Sequence, residues 1–122
     1  MSPHTLPLAA ILLSLTLSAA NAQTVTRIPK AFQGVWAADL ERCASTGEHE
    51  PYTIDSRHII AYEHGWTIRR LTLRKGVWIG RGTSGDDQGE TPATVTLQMG
   101  RDGKLKFNDF DYIRCPEKPR AE

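Results

Sequence analysis

The sequence predicts an all-β domain, a small antiparallel β-barrel with one disulfide, and three observations carry that prediction. Beyond Ile28-Pro29 apolar side chains recur at every second position, and no segment keeps a helical period for more than about one turn. Turn-forming residues interrupt the alternation at short intervals, which marks out about seven or eight short strands. Two cysteines, Cys43 and Cys115, stand near the two ends of the patterned region. Such a chain buries its apolar face by closing a barrel or by stacking two sheets. Closure is preferred because it leaves no open edge, and a β-sandwich is the alternative.

Residues 1–22 stand apart from this pattern. Leu6 to Ala22 carry no charge and contain the apolar run Leu8 to Leu17, followed by Ala20-Asn21-Ala22, a small-x-small cleavage pattern. They are expected to be a signal peptide removed after Ala22. An apolar core of about ten residues is too short to span a bilayer, so no membrane span is expected in the mature chain. Its expected location is the periplasm or the exterior. In that oxidising setting Cys43 and Cys115 read as a structural disulfide. It closes a loop of about 73 residues, worth roughly 4 kcal/mol by chain entropy. A catalytic thiol or two metal ligands are the other roles open to the pair, although no C-x-x-C spacing supports them.

The mature chain divides into an extended N-terminal segment over 23–31, the barrel over 32–116 and a flexible tail over 117–122. Gln33 to Ala38 predicts the first strand, Leu40 to Ala44 one helical turn, and Tyr52 to Asp55 a second short strand. Ser56-Arg57 turns into a strand from Ile59 to His64, and Gly65 breaks the pattern before Trp66 to Arg74. Within that last segment the apolar parity shifts from Trp66 and Ile68 to Leu71 and Leu73, which predicts a bulge at Arg69-Arg70. Lys75-Gly76 is a tight turn that sets residue 73 opposite 78, so Trp66 and Trp78 do not stack. Val77 to Thr83 follows as a strand, and Ser84 to Gly89 as a polar loop. Ala93, Val95, Leu97 and Met99 alternate with polar residues, and Asp102-Gly103 then signals a hairpin. Leu105 and Phe107 begin the last part of the sheet, and Tyr112 to Cys115 completes it.

Three resemblances bear on this reading. Gly34-Val35-Trp36 at the start of the first strand resembles the opening of lipocalin-like barrels, where the glycine permits a tight entry and the tryptophan plugs one barrel end. Ile28, Pro29, Phe32, Gly34, Trp36, Cys43, Tyr62, Glu63, Arg114 and Cys115 together resemble the pattern of a family of small exported bacterial β proteins. That likeness covers most of the mature chain and implies no activity. The Gly-x-Trp strand with a single disulfide is also similar to secreted barrel inhibitors of bacterial metalloproteases. Their free N-terminal segment enters the protease cleft, a part Gln23 to Arg27 would play here.

Composition narrows the function. The chain has 122 residues, a net charge of +1 and 24% charged residues, which fits one ordered domain. The near balance of charge gives no reason to expect nucleic acid or an anionic membrane as partner. No nucleophile elbow, zincin helix or phosphate loop occurs, so no catalytic residue and no cofactor is expected. Glu48-His49-Glu50 with His58 and His64 is the nearest approach to a metal set, and a metal-dependent enzyme through His49 is the third functional reading. Asp86, Asp87 and Glu90 lack the alternation of a calcium loop, so no metal site is expected. Arg69, Arg70, Arg74, Lys75 and Arg81 form a candidate basic patch or an ordinary charged sheet face. Trp36, Tyr62, Trp78 and Phe107 are the candidate lining for a small apolar ligand inside the barrel. The leading expectation is a monomeric, exported, non-catalytic binding module for an envelope protein or peptide, with hydrolase inhibition as one form. Carriage of a small apolar ligand is the alternative.

Overall fold

The computed structural model describes residues 23–117; the expected signal peptide and the end of the expected tail lie outside the described residues. Nine strands follow one another: β1 (Gln23–Val25), β2 (Gly34–Ala37), β3 (Tyr52–Ile54), β4 (His58–Ala61), β5 (His64–Arg74), β6 (Val77–Asp86), β7 (Gly89–Met99), β8 (Leu105–Phe107) and β9 (Phe110–Arg114). From β2 onward each pairs antiparallel with its successor, and β9 pairs back with β2 through Trp36↔Arg114 and Ala37↔Ile113. The result is a closed eight-stranded barrel, so the sandwich alternative is set aside. Among the described residues no helix is long and apolar enough to cross a membrane.

Inward positions fill the barrel. Trp36, Ile54, Ile59, Ile68, Leu71, Val95, Leu97, Leu105 and Phe107 are each at most 2% exposed and form one cluster with Ile28 and Phe32. The interior therefore holds the protein's own side chains, as close packing in so small a barrel requires.

The long strand β5 carries both expected irregularities. Its ladder with β6 slips between Ile68 and Arg70, and this bulge lets Ile68 and Leu71 both face the core despite their odd spacing. Across from the bulge a side chain at Gly82 would put its Cβ 1.8 Å from the Thr67 carbonyl oxygen, so only glycine fits. Lys75 and Gly76, with φ of 51° and 82°, form the tight turn, and Leu73 lies opposite Trp78 as the turn demands. Trp66 pairs with Ser84, far along the ladder from Trp78.

Three boundaries differ from expectation. The strand expected to reach His64 ends at Ala61, and Tyr62-Glu63 make a hairpin closed by Ala61↔His64. Glu63 takes the left-handed conformation there, at φ 55°, while Gly65 is an ordinary strand residue opposite Ile60. The polar loop over 84–89 is mostly strand: β6 runs to Asp86, β7 restarts at Gly89, and only Asp87-Gln88 turn. Main-chain pairing continues past the core, where hydrophobic alternation has nothing to bury and so leaves no signal. The N-terminal segment is extended but not free, because Gln23, Thr24 and Val25 pair with Leu73, Thr72 and Leu71 along the part of β5 that β4 leaves open.

One end of the barrel is sealed by the residues preceding β2. A 3₁₀ turn over Lys30–Phe32 buries Phe32, and the Trp36 indole Nε1 donates to the Phe32 carbonyl at 2.9 Å. Arg114 lies over this junction: its Nη1 donates to Gln33 O at 2.8 Å and its Nη2 to Ala31 O at 2.7 Å. Its guanidinium carbon sits 4.3 Å from the centre of the Trp36 ring. Gly34 has φ 135°, and a Cβ there would meet Arg114 Nη1 at 2.6 Å, so this glycine serves both the strand entry and the arginine clasp. The expected helical turn after β2 is a 3₁₀ turn over Glu41–Ala44, and it presents Cys43 to Cys115 just beyond β9. The two are disulfide-bonded with Cα atoms 5.6 Å apart.

Candidate functional site

The opposite end of the barrel is open. A cavity of about 390 Å³ lies there between the starts of β3 and β5, the middle of β9 and the connection from β2 to β3. Strand geometry explains its lining. Tyr52 opens β3, His64 and Trp66 open β5, and Tyr112 stands on the inward face of β9, paired with the buried Leu105. These inward positions lie beyond the last layer of aliphatic side chains, so their rings pack on one another and on Phe107 instead.

The rings meet edge to face. Tyr52 and Tyr112 have centroids 5.3 Å apart, Tyr52 and Phe107 5.4 Å, Trp66 and Phe107 5.2 Å, and His64 and Trp66 4.6 Å. Such contacts fix ring orientation at little entropic cost. Arg42, Glu48, His49 and Glu50 approach the cavity from the connecting loop, and Tyr62 from the β4–β5 turn. Large apolar side chains are left in water at this end: Tyr62, 44% exposed, lines the cavity, while Leu40, 65% exposed, stands in the β2–β3 connection and Phe110, 68% exposed, opens β9 on the same strand face as Tyr112.

One titratable group at this end is clearly perturbed. Burial, followed by the neighbouring Tyr52, pushes the Tyr112 phenol up to about 12, so it stays protonated and serves as a hydrogen-bonding group. His49 Nε2 lies 3.9 Å from Glu48 Oε1. His64 lines the same cavity, whereas His58 stands on the outer wall with Nδ1 3.1 Å from Asp55 Oδ1. Among the described residues no group of three or more His, Cys, Asp or Glu is placed to hold a metal ion. Asp86 and Glu90 are engaged locally, accepting from the Gln88 N–H at 2.8 Å and the Thr83 hydroxyl at 3.3 Å.

The four residues named as ligand lining are distributed rather than gathered. Trp36 and Phe107 are core, with Trp36 also reaching the cavity wall; Tyr62 stands exposed at the mouth; Trp78 pairs with Leu73 and Leu97 in a different part of the barrel. Tyr52, Trp66 and Tyr112 supply most of the aromatic lining. Tyr52 and Tyr112 carried a sequence signal only as strand residues, since their placement depends on how eight strands stagger around a ring. The five cations Arg69, Arg70, Arg74, Lys75 and Arg81 are all exposed on or beside the β5–β6 ladder, with Arg70 directly opposite Arg81. A second hollow of about 770 Å³ lies outside the wall of β2, between Val35, Thr53 and the disulfide, and its lining holds no aromatic side chain.

Comparison with protein-family models, with curated proteins and with solved structures finds no match for this chain.

Proposed function

We propose that this protein is an exported, non-catalytic binding module that engages a protein or peptide partner through the open end of its barrel. One observation carries the reading: the interior is filled by the protein's own side chains, while the aromatic cavity at the mouth is empty of them and has the exposed Tyr62 in its lining, with exposed Leu40 in the β2–β3 connection and Phe110 at the start of β9 belonging to the same end of the barrel. An aromatic pocket with an exposed apolar border is what a partner's anchoring side chain fills. The lipocalin-like likeness supports the same architecture, with the sealed end at Trp36 and the working end opposite. Inhibition of an envelope hydrolase is one form this binding takes, although the pairing of β1 with β5 removes the free N-terminal segment such an inhibitor would use. Carriage of a small apolar molecule is left only the mouth, because the core offers no room.

The test is capture of partners from an envelope extract by the wild-type protein and by Tyr62→Ala and Phe110→Ser, whose exposed side chains contribute little to folding. A partner held by the wild type and lost by both folded variants supports the reading. Native mass spectrometry showing a retained lipid-sized molecule and no protein would replace it with the carrier reading.

A further inference from the structure

Strands β1, β4, β5 and β6 together carry a single carboxylate, Asp86, at the last position of β6. The same wall presents Arg69, Arg70 and Arg74 from β5, Lys75 from the turn and Arg81 from β6, all exposed. Pairing sets Arg70 across from Arg81, and the bulge adds Arg69 beside them. Two neighbouring segments bring further arginines. The Ile68 N–H donates to the Arg57 carbonyl at 2.7 Å, and beyond β1 the exposed Arg27 precedes Ile28, whose N–H donates to Ser56 O at 2.7 Å. Arg57 is likewise exposed.

None of these cations is ion-paired among the described residues, where the ion pairs are Arg42–Asp39, His49–Glu48 and His58–Asp55. The nearest carboxylate in sequence, Asp55, is occupied by the N–H groups of Arg57 and His58 and by the His58 ring. Carboxylates gather instead towards the open end: Glu48, Glu50, Glu63, Asp87 and Asp109 stand in its connections, and Glu90 of β7 lines a hollow with Asp86, His58 and Thr67 where this wall ends. The net charge of +1 thus conceals an uneven distribution of charge over the described surface.

Like charges directly opposite on a ladder destabilise it, so folding gives no reason to collect them on one face. Guanidinium groups match phosphate oxygens with paired N–H donors. The residues of this face line neither the mouth cavity nor the hollow outside β2. As a barrel's outer wall it suits an extended surface better than a small anion held in a pocket. We propose that this wall docks on the phosphate headgroups of an anionic lipid bilayer, laying the barrel on its side and leaving the mouth free. The proposal does not rest on what the mouth binds.

The test is co-sedimentation of the full chain with phosphatidylglycerol–phosphatidylcholine vesicles and with phosphatidylcholine alone, at low and high salt. Residues 1–22 are common to every variant and cancel from the comparison. Arg69→Gln/Arg70→Gln/Arg81→Gln is set against Arg101→Gln/Lys104→Gln/Lys106→Gln, which removes the same charge from the β7–β8 hairpin, and thermal unfolding verifies both folds. At roughly fivefold per guanidinium near the surface, the wall variant is expected to lose on the order of a hundredfold in partition, and the control only a small part of that. Equal losses in the two variants, or no preference for phosphatidylglycerol, would overturn the proposal. So would tighter binding to a soluble acidic polysaccharide, or release from vesicles by millimolar inorganic phosphate.

Discussion

Replacing Arg114 by alanine should destabilise the fold by about 2–3 kcal/mol. The figure follows from the bonds its guanidinium makes. Two hydrogen bonds from a charged donor, at 2.8 and 2.7 Å to Gln33 O and Ala31 O, are each worth about 1.5–3 kcal/mol when buried, and near the low end or less here because the residue is exposed. Stacking over Trp36 at 4.3 Å adds about 0.5–1 kcal/mol. The freed carbonyls can turn to water, so no further penalty is added. For a domain of this size the change corresponds to roughly 10–20 °C in Tm. Urea unfolding of the oxidised protein, followed by tryptophan fluorescence, measures it. Arg114→Lys should recover about half, since an ammonium cannot span both carbonyls and stacks less well. A loss below about 0.5 kcal/mol in the alanine variant, or a lysine variant equal to wild type, would refute the view that this clasp holds the sealed end together.

Gly82→Ala should cost at least about 3 kcal/mol in urea unfolding, because the new Cβ meets a backbone oxygen, whereas Gly76→Ala, with open space but a left-handed φ, should cost about 1–2 kcal/mol. Reducing the Cys43–Cys115 bond should lower unfolding free energy by roughly 4 kcal/mol, and Cys43→Ser/Cys115→Ser should match the reduced protein. Tyr112 favours its neutral form in the folded state, with its phenol raised to about 12, so its contribution is complete below the unfolded value near 10 and fades as the pH climbs from there towards 12. Unfolding midpoints across that alkaline window should fall less steeply in Tyr112→Phe. Asp55 behaves oppositely: burial pushes its carboxyl up, but the N–H groups of Arg57 and His58 and the His58 ring outweigh that and hold it below the ordinary aspartate value. Its contribution is present above the unfolded value and declines as the pH falls through the folded one, and a carboxyl titration by NMR should move upward in His58→Asn.

Hydrophobic parity made the barrel legible wherever a strand had a core to face. The bulge at Arg69-Arg70 and the Leu73↔Trp78 pairing follow from side-chain spacing and turn chemistry, and the expected Cys43–Cys115 disulfide is present. Parity failed where pairing outran the core. Ser84 to Asp86 and Gly89 to Thr91 pair through main chain with small or polar side chains, so they resemble a loop. It failed also at Tyr62-Glu63, because the left-handed position fell to a glutamate while a glycine stood two residues on. The mouth was least legible. Tyr52 and Trp66 come from β3 and β5, which flank β4, but Tyr112 comes from the distant β9, and only the closure of β9 on β2 brings all three around one opening. Charge segregation was hidden for the same reason, since a whole-chain sum cannot register which strands are neighbours.

The β2–β9 seam has a kinetic corollary. It is the joint between strands most distant in sequence, and it rests on two residue pairs, against nine in each of the β5–β6 and β6–β7 ladders. The long hairpins can zip locally and early, while ring closure must await the arrival of β9 and bear the entropy of a long excursion. Until then β2 and β9 are raw edges able to recruit another chain. A covalent latch placed one residue beyond that seam guards against reopening at the point where this molecule is most exposed to aggregation.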